Sequence, residues 1–255
     1  MDDKLIVEDG FRYIEQGEGE PLLLLHGLFG ALSNFRDLIV HFQEKYRVLI
    51  PILPLYDLEL KETSVPSLVR FIEDFVAYKN ITGLHLVGNS LGGHVGLLYA
   101  LDNLDKIESI TLTGSSGLFE SAMGDTFPKR GNYEYIKKKT EDTFYDPETA
   151  TKELVDEVFS IVNDNHKTLR VLAMARSALK QNLADSLQNI DKPCLLIWGK
   201  QDKITPPFVG EEFHKLLPNS ELHFIDKTGH APMMEHPEKF NSLLEEFLHQ
   251  LAYAD

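Results

Sequence analysis

Five residues, Gly88-Asn89-Ser90-Leu91-Gly92, constrain this chain more than any others. An apolar run precedes them, Ile81-Thr-Gly-Leu-His-Leu-Val87, and a helix-like run from Leu91 to Asn103 follows. A Gly-x-Ser-x-Gly pattern between strand and helix predicts a sharp turn that holds its serine in a strained backbone conformation. The turn lifts the Ser90 hydroxyl above the end of the sheet. Strand and helix cross so closely there that the positions two before and two after the serine must be small. Gly88 and Gly92 meet that demand. The pattern alone recurs by chance; its setting and the residues downstream give it meaning.

The rest of the chain supplies a matching rhythm. Short apolar runs at 11–16, 21–26, 46–52, 81–87, 106–113, 193–198 and 221–226 read as strands. Leu22-Leu-Leu-Leu25 and Leu195-Leu-Ile-Trp198 are apolar at consecutive positions, the mark of strands buried on both faces of a parallel sheet. Helical patterns at 34–44, 65–78, 91–101, 207–217 and 237–252 separate them, so the alternation predicts a doubly wound α/β core. Residues 11–16 and 21–26, joined by a turn around Gly17-Glu18-Gly19, are expected to form an antiparallel edge.

The rhythm breaks between about 115 and 189. A polar, glycine-containing stretch at 124–132 and the Asp146-Pro147 break lead into helical spacing at 150–163 and 167–181. We expect a mostly helical insertion, residues 115–189, over one end of a core made of residues 1–114 and 190–255. The alternative is that these helices extend the core.

At 255 residues the chain suits one large domain, or a core with one insertion, and 43% hydrophobic content is ample to bury it. A net charge of −15 argues against nucleic acid and against an anionic membrane surface as partners. The acidic N-terminus lacks the apolar centre of a secretory signal, and no run approaches the ~18 apolar residues of a membrane span. The lone cysteine, Cys194, rules out an internal disulfide and reads as a small buried hydrophobe in an apolar run. A cytoplasmic protein is the expectation.

A serine hydroxyl is a poor nucleophile near neutrality. It needs a base for its proton, and the base needs a partner that fixes its tautomer. Two residues after Ser90 stand where that chemistry needs them. Asp202 follows the run 193–198 and His230 follows the run 221–226. Both are loop positions at carboxyl ends of strands, the edge where open α/β sheets build their sites. Of the ten histidines, only His26 and His230 lie at strand ends beside glycine, and His26 precedes the serine. Asp226 is the rival acid, but it ends its strand too close to His230. The loop His26-Gly-Leu-Phe-Gly30 follows another buried run and is placed to offer a backbone N–H to a developing oxyanion. The two donors expected are the N–H groups of Leu91 and Leu28, with Phe29 the rival to Leu28. Leu91 opens a helix, whose dipole favours an anion there.

Taken together, His26-Gly27, Gly88-Asn-Ser-Leu-Gly92-Gly93, Gly199-Lys-Gln-Asp202 and Gly229-His230-Ala-Pro resemble the α/β-hydrolase superfamily over nearly the whole chain. The resemblance implies a mostly parallel eight-stranded sheet flanked by helices, with a helical cap inserted after strand 6. Within that superfamily the chain looks most like small carboxylesterases and the hydrolases that cleave carbon–carbon bonds of meta-cleavage products. Asn89 and Asn34 resemble positions where the latter place asparagines around the substrate. That branch also carries a tryptophan directly after its catalytic histidine, where this chain has Ala231, and a cap arginine, for which Arg170 or Arg176 would have to substitute. The Asp-x-Arg-Gly-x-Gly stretch common after the fourth strand is replaced by Pro51-Ile-Leu-Pro-Leu-Tyr-Asp57.

The reading that follows is a serine hydrolase of carboxylic esters with small to medium acyl chains. Ser90 attacks, His230 moves the proton, and Asp202 orients His230. No metal or organic cofactor is needed. Phe144, Phe159, Leu172 and Met174 are candidates for the acyl pocket, or for the cap's own core, and Phe29 is a further candidate for substrate contact. The alternatives are carbon–carbon bond hydrolysis and a ligand-sensing module that signals through its cap. The physiological substrate and the oligomeric state are not legible.

Overall fold

A computed structural model describes residues 5–29, 35–119 and 129–253. Its strands are β1 Ile6–Glu8, β2 Phe11–Gln16, β3 Glu20–Leu25, β4 Tyr46–Pro51, β5 Leu84–Asn89, β6 Ile107–Thr113, β7 Cys194–Gly199 and β8 Ser220–Ile225. Its helices are α1 Arg36–Phe42, α2 Val65–Tyr78, α3 Leu91–Asp102, α4 Tyr133–Glu141, α5 Lys152–Asn163, α6 Asn165–Lys180, α7 Pro207–Leu216, α8 Pro232–Glu235 and α9 Pro237–Ala252. The strands form one sheet in the order β1-β2-β4-β3-β5-β6-β7-β8. Pairings from β4 through β8 are parallel; β1 with β2 and β2 with β4 are antiparallel.

Consecutive leucines in β3 are explained by period-two geometry. Leu22 and Leu24 face α1 and α9, packing with Leu38, Phe42, Phe240 and Leu244. Leu23 and Leu25 face α2 and α3, packing with Leu68, Ile72 and Val95. All four are fully buried, each worth ~1.5–3 kcal/mol of transfer free energy. β7 repeats the arrangement, with Leu195 and Ile197 on one face and Leu196 and Trp198 on the other.

The antiparallel edge is real, but its partners differ from the sequence expectation. β2 does not pair with β3, because β4 lies between them. β3, apolar on both faces, lies in the sheet's interior between β4 and β5, while β2 pairs with β4 on one side and β1 on the other. The β1–β2 turn places Asp9 at φ 47° and Gly10 at φ 82°, the left-handed pair of a tight hairpin. Asp9-Gly10 is the sequence signal for it.

Between β6 and β7 the chain leaves the sheet and builds α4, α5 and α6. α4 was not expected from apolar spacing, since only Ile136 and Thr140 of its nine residues are buried. Its start is set by Asn132, whose side chain accepts the Tyr135 N–H. α6 leans on the core through Ser177, whose hydroxyl accepts the Val65 N–H at the start of α2. Among the described residues no helix is long and apolar enough to cross a membrane.

Candidate active site

Ser90 joins β5 to α3 at φ 54°, ψ −120°, a region a side-chain-bearing residue occupies only at a cost of ~1–3 kcal/mol. The surroundings over-determine that conformation. Ser90 N–H donates to the Thr113 carbonyl at 3.1 Å, and the Ser90 carbonyl accepts from the N–H groups of Gly93, His94 and Ser116 at 3.1–3.3 Å. Steric contact explains the flanking glycines. A methyl at Gly92 would lie 2.0 Å from the Leu25 carbonyl oxygen, and one at Gly88 would lie 2.4 Å from the Gly93 Cα. The side chain of Ser90 is left half-buried at the carboxyl end of the sheet.

Asp202 and His230, the expected orienting acid and base, arrive on the loops after β7 and β8. These strand ends approach so closely that a Cβ at Gly199 would lie 2.0 Å from the Gly229 carbonyl oxygen. Past them the two loops are zipped together. Gln201 N–H donates to the Thr228 carbonyl at 2.9 Å, and the Thr228 N–H returns to Gln201 Oε1 at 3.0 Å. Asp202 and His230 are thereby joined, His230 Nδ1 donating to Asp202 Oδ2 at 2.9 Å. Both are buried. Asp202 Oδ1 also accepts the N–H groups of Ile204 and Thr205, at 2.8 and 3.0 Å, and the Thr205 hydroxyl donates to Oδ2 at 2.8 Å. With Nδ1 turned to Asp202, His230 leaves Nε2 as its other ring nitrogen. The rival acid Asp226 is exposed and accepts from Gln201 Nε2 at 3.0 Å.

Elbow and base side meet at Gly114 and Asn89. The Gly114 Cα carries no side chain where a Cβ would touch His230 Nδ1 at 2.8 Å. Asn89 is 3% exposed, and its amide donates to the carbonyls of Thr113 (3.1 Å) and His230 (3.4 Å). The structure thus turns Asn89 into the protein as a brace between the two loops. Asn34 lies outside the described residues.

The loop after β3 runs along the elbow, its Gly27 Cα so placed that a Cβ would be 3.3 Å from Ser90 Cβ. His26 fixes it. Leu53 N–H donates to Nε2 at 3.0 Å, so the proton sits on Nδ1, which donates to the Gly27 carbonyl at 2.8 Å. Burial pushes the His26 pKa down to about 4 and keeps the ring neutral. A trans peptide points its N–H opposite its C=O, so this contact sets the direction of the Leu28 N–H. Leu28 and Phe29 are both half-buried beside the elbow, and Leu91 opens α3.

The cap candidates scatter. Phe144 packs at the His230 loop, in one apolar cluster with Ala231 and Met233. Phe159 meets Tyr133 edge-on within the helical excursion, at 5.1 Å between centroids. Met174 is buried in the cluster of α2 and α3, and Leu172 is half-buried. Arg170 is buried and donates to the carbonyls of Leu58 and His166, while Arg176 is exposed. Four residues escaped the sequence reading: Thr205, Ser116, Tyr56 and Glu235. Only Thr205 had a signal, since an aspartate commonly accepts the N–H groups two and three residues on.

A profile of the alpha/beta hydrolase family matches residues 22–243. The chain belongs to that family. An alpha/beta hydrolase enzyme from the metagenome of Mar Chica lagoon sediments in Morocco is 42% identical, with a TM-score of 0.82 over 98% of this chain and 100% of that one. A curated relative from Metapseudomonas resinovorans, 2-hydroxy-6-oxo-6-(2'-aminophenyl)hexa-2,4-dienoic acid hydrolase, is 27% identical over 94% of this chain and 88% of its own. The meta-cleavage product hydrolase of Pseudomonas fluorescens IP01 shares the fold at a TM-score of 0.80 with 22% identity, covering 97% of each chain.

Proposed function

We propose that this hydrolase cleaves carboxylic esters through an acyl-enzyme on Ser90. The observation that carries the reading is the buried His230–Asp202 pair, at 2.9 Å, on the sheet edge that also bears the strained Ser90. His230 Nε2 takes the Ser90 proton as the hydroxyl attacks the carbonyl carbon. Asp202 holds the imidazole tautomer and balances the charge it gains. The N–H groups of Leu28 and Leu91 stabilise the oxyanion, one aimed by His26 and one by the start of α3. His230 then gives its proton to the departing alkoxide. Water, deprotonated by the same base, attacks the acyl carbon, and His230 returns the proton to the Ser90 oxygen as the acid leaves. Every step uses groups of the chain itself.

Cleavage of a carbon–carbon bond in a dienoate is the second reading, favoured by curated relatives such as that from Metapseudomonas resinovorans. Against it, the residue after His230 is the small, buried Ala231. Arg170 is committed to backbone carbonyls and Arg176 faces solvent, which leaves neither a ready partner for a substrate carboxylate.

Steady-state assays with p-nitrophenyl esters of increasing acyl length, beside Ser90→Ala, test the proposal. Turnover with a chain-length optimum, lost by about 10⁶ in kcat in the variant, supports it. Turnover of a 2-hydroxy-6-oxo-dienoate without ester turnover moves the assignment to the second reading. Ester hydrolysis undiminished in Ser90→Ala overturns both.

A further inference from the structure

Residues 51–58, from the last residue of β4 toward α2, stand where the commoner glycine-rich stretch is missing. They grip the donor loop twice. Leu53 N–H holds His26, and the Tyr56 hydroxyl donates to the Leu28 carbonyl at 2.9 Å. Burial pushes the Tyr56 phenol up, so it stays a donor throughout the neutral range. With the Gly27 carbonyl on His26 and the Leu28 carbonyl on Tyr56, both peptide planes flanking the Leu28 Cα are pinned. Its φ and ψ are fixed together, and so is the direction of its N–H.

The far side of the same segment is held by α6. Arg170 Nε donates to the Leu58 carbonyl at 2.7 Å. Lys167 Nζ lies over the Tyr56 ring, 5.6 Å from its centroid, within the range of a cation–π contact. The segment is therefore a strut between the helical excursion and the loop beside Ser90.

We propose that Tyr56 is a positioning residue for the oxyanion donor and that α6 sets its place through Lys167 and Arg170. The proposal rests on the reading of Ser90 as a nucleophile served by the Leu28 N–H. In it, packing of α6 against residues 51–58 is what makes the donor loop rigid before any substrate arrives. Loss of the Tyr56 hydroxyl should weaken binding of the anionic adduct far more than binding of the substrate itself.

An aryl trifluoromethyl ketone forms a tetrahedral anion with the serine and reads this directly. Tyr56→Phe is expected to weaken its inhibition about tenfold, the loss of one hydrogen bond, and to lower kcat alike with KM within twofold. Lys167→Met, which leaves the hydroxyl intact, should move both in the same direction by about threefold. Tyr78→Phe removes a hydroxyl bonded to Glu8 at the distant antiparallel edge and should change neither. Unchanged inhibition in Tyr56→Phe, or parallel losses in kcat and thermal stability with inhibitor affinity intact, overturns the proposal. Fluorophosphonate labelling of Ser90 in the native protein separates the two levels. Labelling with unchanged inhibition in Tyr56→Phe removes only Tyr56, whereas absence of labelling removes Ser90 as nucleophile and this inference with it.

Discussion

The elbow and the acid–base pair share one edge of the sheet, yet they are built by opposite means. The elbow is local. Glycines at 88 and 92 let a strand and a helix meet at backbone contact, and the Ser90 conformation is locked by donors within 26 residues of it. The pair is assembled from afar. Asp202 and His230 are 28 residues apart in sequence, on two loops that hydrogen bonds zip together. Packing dictates the first and polar contacts the second. A site made in this way holds Ser90 by sterics and backbone hydrogen bonds, and holds His230 by side-chain contacts that a substitution can tune.

The sharpest way to break the comparison is at Asp202. Asp202→Asn should preserve the loop, since an amide oxygen still accepts from Ile204 and Thr205. Its NH₂ would face His230 Nδ1, force the proton to Nε2, and remove the lone pair that serves Ser90. We expect kcat to fall on the order of 10⁴, with a melting temperature near that of the native protein. Asp226→Asn, on the exposed side of Gln201, should cost less than twofold. A larger loss at Asp226 would mean that a solvent-facing carboxylate does the orienting.

Acid should weaken the elbow side next. His26, after β3, and His94, on α3, are both held near pKa 4 by burial. Each has an ordinary value of 6.5, so the unfolded chain binds protons that the fold refuses. Their contribution is complete above pH 6.5 and is lost as pH falls from 6.5 toward 4. A shift of that size converts to about 3 kcal/mol for each ring. Urea unfolding across this window should show stability declining with acid, and His26→Gln should flatten the decline. A slope unchanged by that substitution would place the acid sensitivity elsewhere.

The same division governs what was legible in the sequence. β3 and β7 announce themselves because strands buried on both faces carry consecutive apolar residues, and α2 and α9 because one face carries their apolar residues. Ser90 was legible since sterics permit only small neighbours. Asp202 and His230 were legible by order and loop position, which family resemblance sharpened. α4 was not, because its Lys-rich sequence buries two residues and its apolar period never shows. β1 was missed because three residues, none of them buried, carry too little pattern. Tyr56, Ser116 and Glu235 act through a few hydrogen bonds to backbone groups of other loops. Such contacts leave no periodicity and no spacing, only an ordinary polar residue in an ordinary place.

Glu235 offers the finest test, because it ties the base side to the helical excursion. Its Oε1 accepts the N–H groups of Tyr145 and Asp146 at 2.7 and 3.1 Å, and its Oε2 accepts the Gly229 N–H at 2.6 Å. The turn after α4 also meets the loop directly, His230 N–H donating to the Thr143 carbonyl at 2.9 Å. Burial pushes the Glu235 carboxyl up even with these donors around it. Glutamine has one acceptor oxygen, so Glu235→Gln must leave either Gly229 or the Tyr145–Asp146 turn without its partner. The Asp202–His230 bond is untouched, so the loss should be small, about tenfold in kcat for one hydrogen bond. Amide exchange locates it. Faster exchange at Gly229 together with the lower kcat would show that the base loop depends on this carboxylate. Faster exchange at Tyr145 and Asp146 alone, with kcat unchanged, would mean that Glu235 serves only the excursion. The base side would then owe its geometry to the zipped loops and Thr205.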